Sequence, residues 1–243
     1  MDVLTREAWS PIYNRWREGG EPDWKPHLIH FPPSSGGSMQ KCSPLDQSAL
    51  SKALKRLRNR AAGGADGWRV QELKKMPKCF LTPLAHIHGC IEQGAPWPAA
   101  AQQILVTLLS KKGNAAPLNM RPISVTPLLY RLWGAARWSD LVRHQESWIQ
   151  QSQTGFRPGK GPTDSSISAA AFTEEGHAKG LLQIAVDLDL QKAFDHIPRA
   201  VLWKLAEQVN TPPGIASAWE NWYSQGQQRY YRHSGGLGEA WQA

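Results

Sequence analysis

The chain has 243 residues, 41% hydrophobic and 20% charged, which suits one large or two small folded domains and argues against global disorder. Lys and Arg outnumber Asp and Glu by 28 to 20, a net charge of +8 that fits a polyanionic partner, either nucleic acid or an anionic membrane surface. No run approaches the ~20 apolar residues of a membrane span. The opening MDVLTREAWSPIYNRW lacks the basic-then-apolar order of a secretory signal. The three scattered cysteines, Cys42, Cys79 and Cys90, suit a reducing compartment better than a disulfide framework.

In chain order, residues 5–18 read as an amphipathic helix whose stripe is Trp9, Ile12, Tyr13 and Trp16. Pro11 argues for a start nearer residue 10. Residues 19–47, with GGEPDW and PPSSGG, read as an irregular connector. A helix then runs from Ser43 or Asp46 to about Asn59, with Ser43 as a possible N-cap before Pro44. Leu50, Leu54 and Leu57 form its apolar stripe, and Lys52, Lys55, Arg56, Arg58 and Arg60 make it basic. That segment, KALKRLRNR, reads as helix before it reads as a nuclear-targeting patch. AAGGADGW (61–68) is a Gly-rich turn. Helices follow over 69–76 and 79–92, the latter closed by Gly94 and Pro96. Cys79, His86, His88 and Cys90 cluster there, but their spacing matches no zinc finger or ribbon, and ordinary packing is the simpler account.

QILVTLLS (103–110) and RPISV (121–125) read as two strands around a basic tip, a β-hairpin. A long helix over 127–147 comes next, then QSQTGFRPGKGPT (151–163), a loop rich in glycine and cations, then a helix over 164–179. LQIAVDLDL (182–190) is the clearest strand by its alternation. Helices near 198–209 and 214–225 and a strand QQRYYRH complete the order, which is that of an α+β protein.

The sharpest chemical signal is VDLDLQKAFDHI (186–197). On a strand, Ile184, Val186, Leu188 and Leu190 face one side and Asp187 and Asp189 the other. Carboxylates beside buried aliphatics need a cation, and Mg²⁺ held by one or two carboxylates with phosphate oxygens is one solution. A solvent-facing strand edge or helix-capping acids would fit the same spacing. Lys111 and Lys112 at the hairpin tip and Arg121 on its return strand could converge on a phosphate. Arg157 and Lys160 in GFRPGKG sit among glycines that allow close backbone approach. Each loop alone could be solvated surface. Together, on either side of an acidic strand, they fit phosphoryl chemistry on a polyanion.

The ordered set AAGGADGW, LLSKKGN with RPISV, TGFRPGKGPTDSSI and VDLDLQKAFDHI resembles the reverse transcriptase domain of non-LTR retrotransposons, and less closely that of group II introns. The resemblance covers about 48–243 and leaves 1–47 as an N-terminal helix and connector. It implies the fingers and first part of the palm of a right-hand polymerase. Its implied partners are an RNA template, a DNA primer and deoxynucleotide triphosphates, without a membrane, inside the cell in nucleus or cytoplasm. It implies Mg²⁺ bound by Asp189 and the carbonyl of Leu190, with Asp187 behind them. Lys192 and Ala193 would line the triphosphate site. Phe194 would be the gate that rejects a ribose 2′-OH, and Asp195 would order the local turn. Lys111, Lys112 and Arg121 would hold the nucleotide's phosphates from the fingertips. Gly155, Phe156, Arg157 and Pro158 would contact template and nucleotide. Gly63, Gly64, Asp66 and Gly67 would form a finger segment near the template.

The sequence departs from the family in three respects. It contains neither Gln-Gly-x-x-x-Ser-Pro nor Tyr-x-Asp-Asp, and a thumb is also missing. Two-metal catalysis needs carboxylates from two strands. The expectation is therefore a truncated polymerase, inactive alone and completed only by the missing palm and thumb. The alternative is a non-catalytic nucleic-acid-binding remnant.

Overall fold

The structure, a computed structural model, describes residues 2–15, 23, 25–28, 42–111, 116–233 and 236–242. Helix α1 spans Asp2–Tyr13, with Asp2 in its first turn, where an anion favours the helix dipole. It therefore starts earlier and ends earlier than the stripe suggests, and Trp16 lies outside the described residues. Pro11 is accommodated because it sits in the last turn on the exposed side, where water can satisfy the Glu7 carbonyl that Pro11 leaves unpaired. Thr5 and Trp9, one turn apart, are its buried residues. A short α2 covers Lys25–Leu28.

Helix α3 is Gln47–Arg56. Its N-cap is Asp46, not Ser43: the Asp46 carboxylate accepts from the Ala49 N–H at 2.7 Å. Ser43 instead offers its carbonyl to Arg137 at 2.9 Å. Helix α4 is Val70–Lys75 and α5 is Leu81–Glu92, entered through a 3₁₀ turn at Lys78–Phe80. Strands β1 (Gln103–Ser110) and β2 (Met120–Val125) form the expected antiparallel hairpin, in register from Leu105 opposite Val125 to Ser110 opposite Met120. Helix α6 is Leu128–Glu146 and α7 is Pro162–Ala178. A single turn, α8 (Ala193–His196), precedes α9 (Arg199–Gln208) and α10 (Pro213–Ser224). Strand β3 (Gln228–His233) lies parallel to β1, with Val106 opposite Tyr231, and β4 (Gly236–Leu237) and β5 (Trp241–Gln242) pair with the other side of β3. The fold is thus α+β, with a small mixed sheet ordered β2-β1-β3-β4.

Residues 182–190 form no strand, contrary to their alternation. Leu182, Ile184, Val186, Leu188 and Leu190 are 73–93% exposed. A strand needs a neighbour for its ladder and a layer for its apolar face, and no other described segment pairs with this one. Helix α7, which leads into it, ends in a Schellman turn: Leu181 N–H donates to Gly176 O at 2.9 Å and Gly180 N–H to His177 O at 3.1 Å, with Gly180 at φ +63°.

The core lies where α3, α5, α6 and α10 meet the inner face of β1 and β3. Tyr130 stacks on Trp222 at 3.7 Å between centroids, and Trp97 meets Trp133 edge-on at 5.6 Å. Two of the most central indole N–H groups are satisfied: Trp97 donates to Ala218 O at 2.8 Å and Trp222 to Ala101 O at 2.9 Å. Buried Arg137 ties three segments together through a two-pronged pair with Glu92, a 3.0 Å bond to Asp140 and the Ser43 carbonyl. His88 is a fully buried core residue whose Nε2 lies 3.2 Å from Leu129 O. No helix among the described residues is long and apolar enough to cross a membrane.

Candidate nucleotide and nucleic-acid site

The β1–β2 hairpin carries two of the cations expected at the nucleotide's phosphates. Lys111 follows β1 directly, and Arg121, exposed on β2, lies opposite Leu109. Lys112 lies outside the described residues. Pro117–Asn119 make a 3₁₀ turn that leads into β2. Lys192 meets this turn from 74 residues away, its Nζ donating to Leu118 O at 2.6 Å. The backbone of Lys192 is left-handed, φ +50°, which swings the chain from the extended segment into α8. Desolvation pushes the Lys192 amine below its usual range. The charge of Asp195 opposes that shift, and the nearby charge of Lys111 adds to it. The fold therefore sets two cations from distant segments within electrostatic reach of one another.

Phe156 and Phe194 meet edge-to-face, 6.2 Å between centroids at 86°. Both rings are about 80% exposed. Phe156 holds φ +59°, an uncommon conformation for a bulky residue. This pair unites the GFRPG loop with the AFD turn and leaves two apolar faces open to a ligand. Ala193 sits half-buried between Lys192 and Phe194. Beside them lies a cleft of about 810 Å³ lined by Pro122 and Ser124 of β2, Phe194, Asp195, Tyr223 and Arg229.

Other candidates are drawn into internal roles. Arg157 is buried, pairing its Nε–Nη2 edge with Glu146 at 2.9 and 2.6 Å and donating from Nη1 to Gln153 O at 3.0 Å. That bond holds the Glu146 carboxyl below its usual range. Pro158 is exposed next to it, and Gly155 is exposed with its carbonyl accepting from Gln153 at 3.3 Å. In AAGGADGW, Gly64 is buried against the β2–α6 junction: a Cβ there would stand 2.7 Å from Pro127 Cα and 2.8 Å from Thr126 O. Asp66 accepts from Leu128 N–H at 2.6 Å, capping α6, while burial pushes its carboxyl up. Gly67 turns the loop at φ +71°, and Gly63 makes only ordinary contacts. The segment anchors the start of the long helix that follows the hairpin.

Asp187, Asp189 and Leu190 lie on the exposed, irregular 182–190 segment. Among the described residues, no three His, Cys, Asp or Glu side chains converge as metal ligands. Asp189 and the Leu190 carbonyl supply at most two of the six ligands Mg²⁺ takes, so the described residues alone do not make a two-metal centre. Sequence reasoning missed Trp9, Tyr13 and Leu118. Trp9 donates to Pro117 O at 3.2 Å and lies under the Lys192 ammonium at 3.8 Å, and Tyr13 donates to Asp195 Oδ1 at 3.0 Å. The apolar stripe of α1 signalled that these rings pack, but not against what.

Residues 109–238 match the family reverse transcriptase (RNA-dependent DNA polymerase). The match takes in the hairpin return, the GFRPG loop, the AFD turn and β3, and leaves AAGGADGW and α1 outside it. No curated protein matches the chain. The match covers more than half of the sequence, and it holds in one span the hairpin cations, the exposed aromatic pair and the acidic segment, so the chain belongs to the reverse transcriptase family.

Proposed function

We propose that the chain is the nucleotide-selecting part of an RNA-directed DNA polymerase of the non-LTR retrotransposon type, fingers and first palm segment of a right hand. Its partners would be an RNA template, a DNA primer and deoxynucleotide triphosphates, inside the cell. The observation that carries this is the meeting of Lys192 with the fingertip turn beside Lys111, together with the Phe156–Phe194 pair. Cations would take the phosphates, and an aromatic face would take the sugar and base. In a complete site Asp189 would hold Mg²⁺ with carboxylates that this sequence does not contain, and the metal would activate the primer oxygen and steady the leaving pyrophosphate. Alone, the chain is proposed to bind nucleotide without polymerising it. Equilibrium binding of a fluorescent deoxynucleotide triphosphate with Mg²⁺ tests this. Lys111→Gln and Phe194→Ala should each weaken binding, and unchanged affinity in both would overturn the assignment.

One observation favours a second reading, a non-catalytic nucleic-acid binder. Lys52, Lys55, Arg56, Arg58, Arg60, Arg69, Lys75 and Lys78 are all exposed, and no ion pair is found for them among the described residues. The acids nearest in sequence, Asp46, Asp66 and Glu72, are spent on backbone N–H groups. RNA binding on this face would weaken steeply with salt. Charge-neutral variants of α3 should flatten that slope without touching nucleotide affinity.

A further inference from the structure

We propose that Trp9 is a positioning residue for the nucleotide site, fixing Lys192 and thereby the turn that faces the triphosphate, from outside the span that matches the polymerase family. The inference rests on the nucleotide reading above.

The indole is fully buried and touches both halves of the site. Its N–H donates to Pro117 O on the fingertip turn at 3.2 Å, and its face receives the Lys192 ammonium at 3.8 Å. Lys192 closes the loop by donating to Leu118 O at 2.6 Å. Three groups from three distant segments thus lock one another. A lysine ammonium near a second cation would otherwise swing to water. The π face holds it docked together with the Leu118 carbonyl, and both attract the cation without neutralising its charge. One helical turn on, Tyr13 adds a parallel link by donating to Asp195 at 3.0 Å, with the Arg229 guanidinium 4.5 Å over its ring. The far end of α1 is fastened independently. Asp2 accepts from Glu239 N–H at 3.2 Å and pairs with Arg6 at 3.1 Å, and a Cβ on Gly238 would strike the Asp2 carboxylate. Helix α1 is therefore a rod anchored at one end on β4–β5 and pressing two aromatic rings into the 117–119 and 192–195 turns.

The test compares Trp9→Ala, Trp9→Phe, Lys192→Met and the Trp9→Ala/Lys192→Met double variant of the full chain. Binding of a fluorescent deoxynucleotide triphosphate with Mg²⁺ is read beside hydrogen exchange at 117–119 and 192–195. Trp9→Ala and Lys192→Met should each weaken binding about tenfold, the double variant no further, and Trp9→Phe should stay within about twofold. Unchanged or additive losses would overturn the proposal. Tighter binding in Trp9→Ala would also overturn it, because α1 would then be covering the site rather than shaping it. If neither wild type nor variants bind nucleotide, it is the nucleotide reading that fails. Exchange then decides the positioning role: faster at 192–195 in Trp9→Ala than in Trp9→Phe upholds it, and equal rates overturn it. Should Trp9→Ala not fold, Tyr13→Phe removes one hydroxyl only, and its exchange at 192–195 should rise while that at 117–119 holds. No rise there would count against the clamp.

Discussion

Lowering the pH should destabilise this protein through His88 in a defined window. The ring is fully buried on α5, with Nε2 bonded to the Leu129 carbonyl and Nδ1 left without a partner. A proton on Nδ1 would be a buried donor with nothing to meet it, and burial accordingly drives the group from its ordinary 6.5 down to about 4. The unfolded chain takes up that proton at the ordinary value, so it binds more protons than the native state between the two. Stability from this source is complete above about pH 6.5 and falls as the pH drops toward about 4. At about 1.4 kcal/mol per pH unit, the gap between 6.5 and about 4 is worth about 3.5 kcal/mol. Burial of His144 pushes its ring in the same direction, so the comparison must isolate His88. Urea unfolding of wild type and His88→Leu at pH 7.5 and 4.5 does so. The variant starts less stable but loses about 2.5 kcal/mol less across that interval. Parallel losses in the two proteins would refute the assignment of a neutral, proton-excluding histidine.

Glu92→Gln should cost about 3 kcal/mol, because it leaves the buried Arg137 guanidinium to Asp140 and a carbonyl alone, whereas Asp140→Ala, at a more open position, should cost less than about 1 kcal/mol. Chemical denaturation midpoints measure both, and equal costs would contradict the placement of Glu92 at the centre of the network. Gly64→Ala should destabilise by about 2 kcal/mol or more, since the added carbon meets the Thr126–Pro127 backbone, while Gly63→Ala should fall within about 0.5 kcal/mol of wild type. Thermal melts of the two variants decide this.

Much of the scaffold is legible in the sequence because it is locally encoded. The alternation of QILVTLLS and RPISV finds its partner in the adjacent strand, and Leu50 and Leu54 on α3 declare their buried face by spacing. What the sequence hides is who meets whom over distance. Residues 182–190 alternate as well as any strand, yet alternation states only what a segment can bury and not that a neighbour exists to bury it. Arg157 sits in a loop that looks built for phosphate, but Glu146 on α6 takes its Nε–Nη2 edge and loop carbonyls take Nη1. Asp66 reads as a polar turn residue, and its use as the cap of α6 appears only when Leu128 is brought to it. The docking of Lys192 on Trp9 joins segments 183 positions apart, a contact no local pattern announces.

The most direct test of the account is primer extension on an RNA template, with the chain alone and with a reverse transcriptase palm hairpin bearing Tyr-x-Asp-Asp joined to it. Hydrogen exchange over 182–190 reports whether the two parts have assembled. The account predicts no extension by the chain alone, extension by the completed protein with slowed exchange at 182–190, and loss of that extension in Asp189→Ala. Extension by the chain alone, or none from a pair in which 182–190 has become protected, would contradict it.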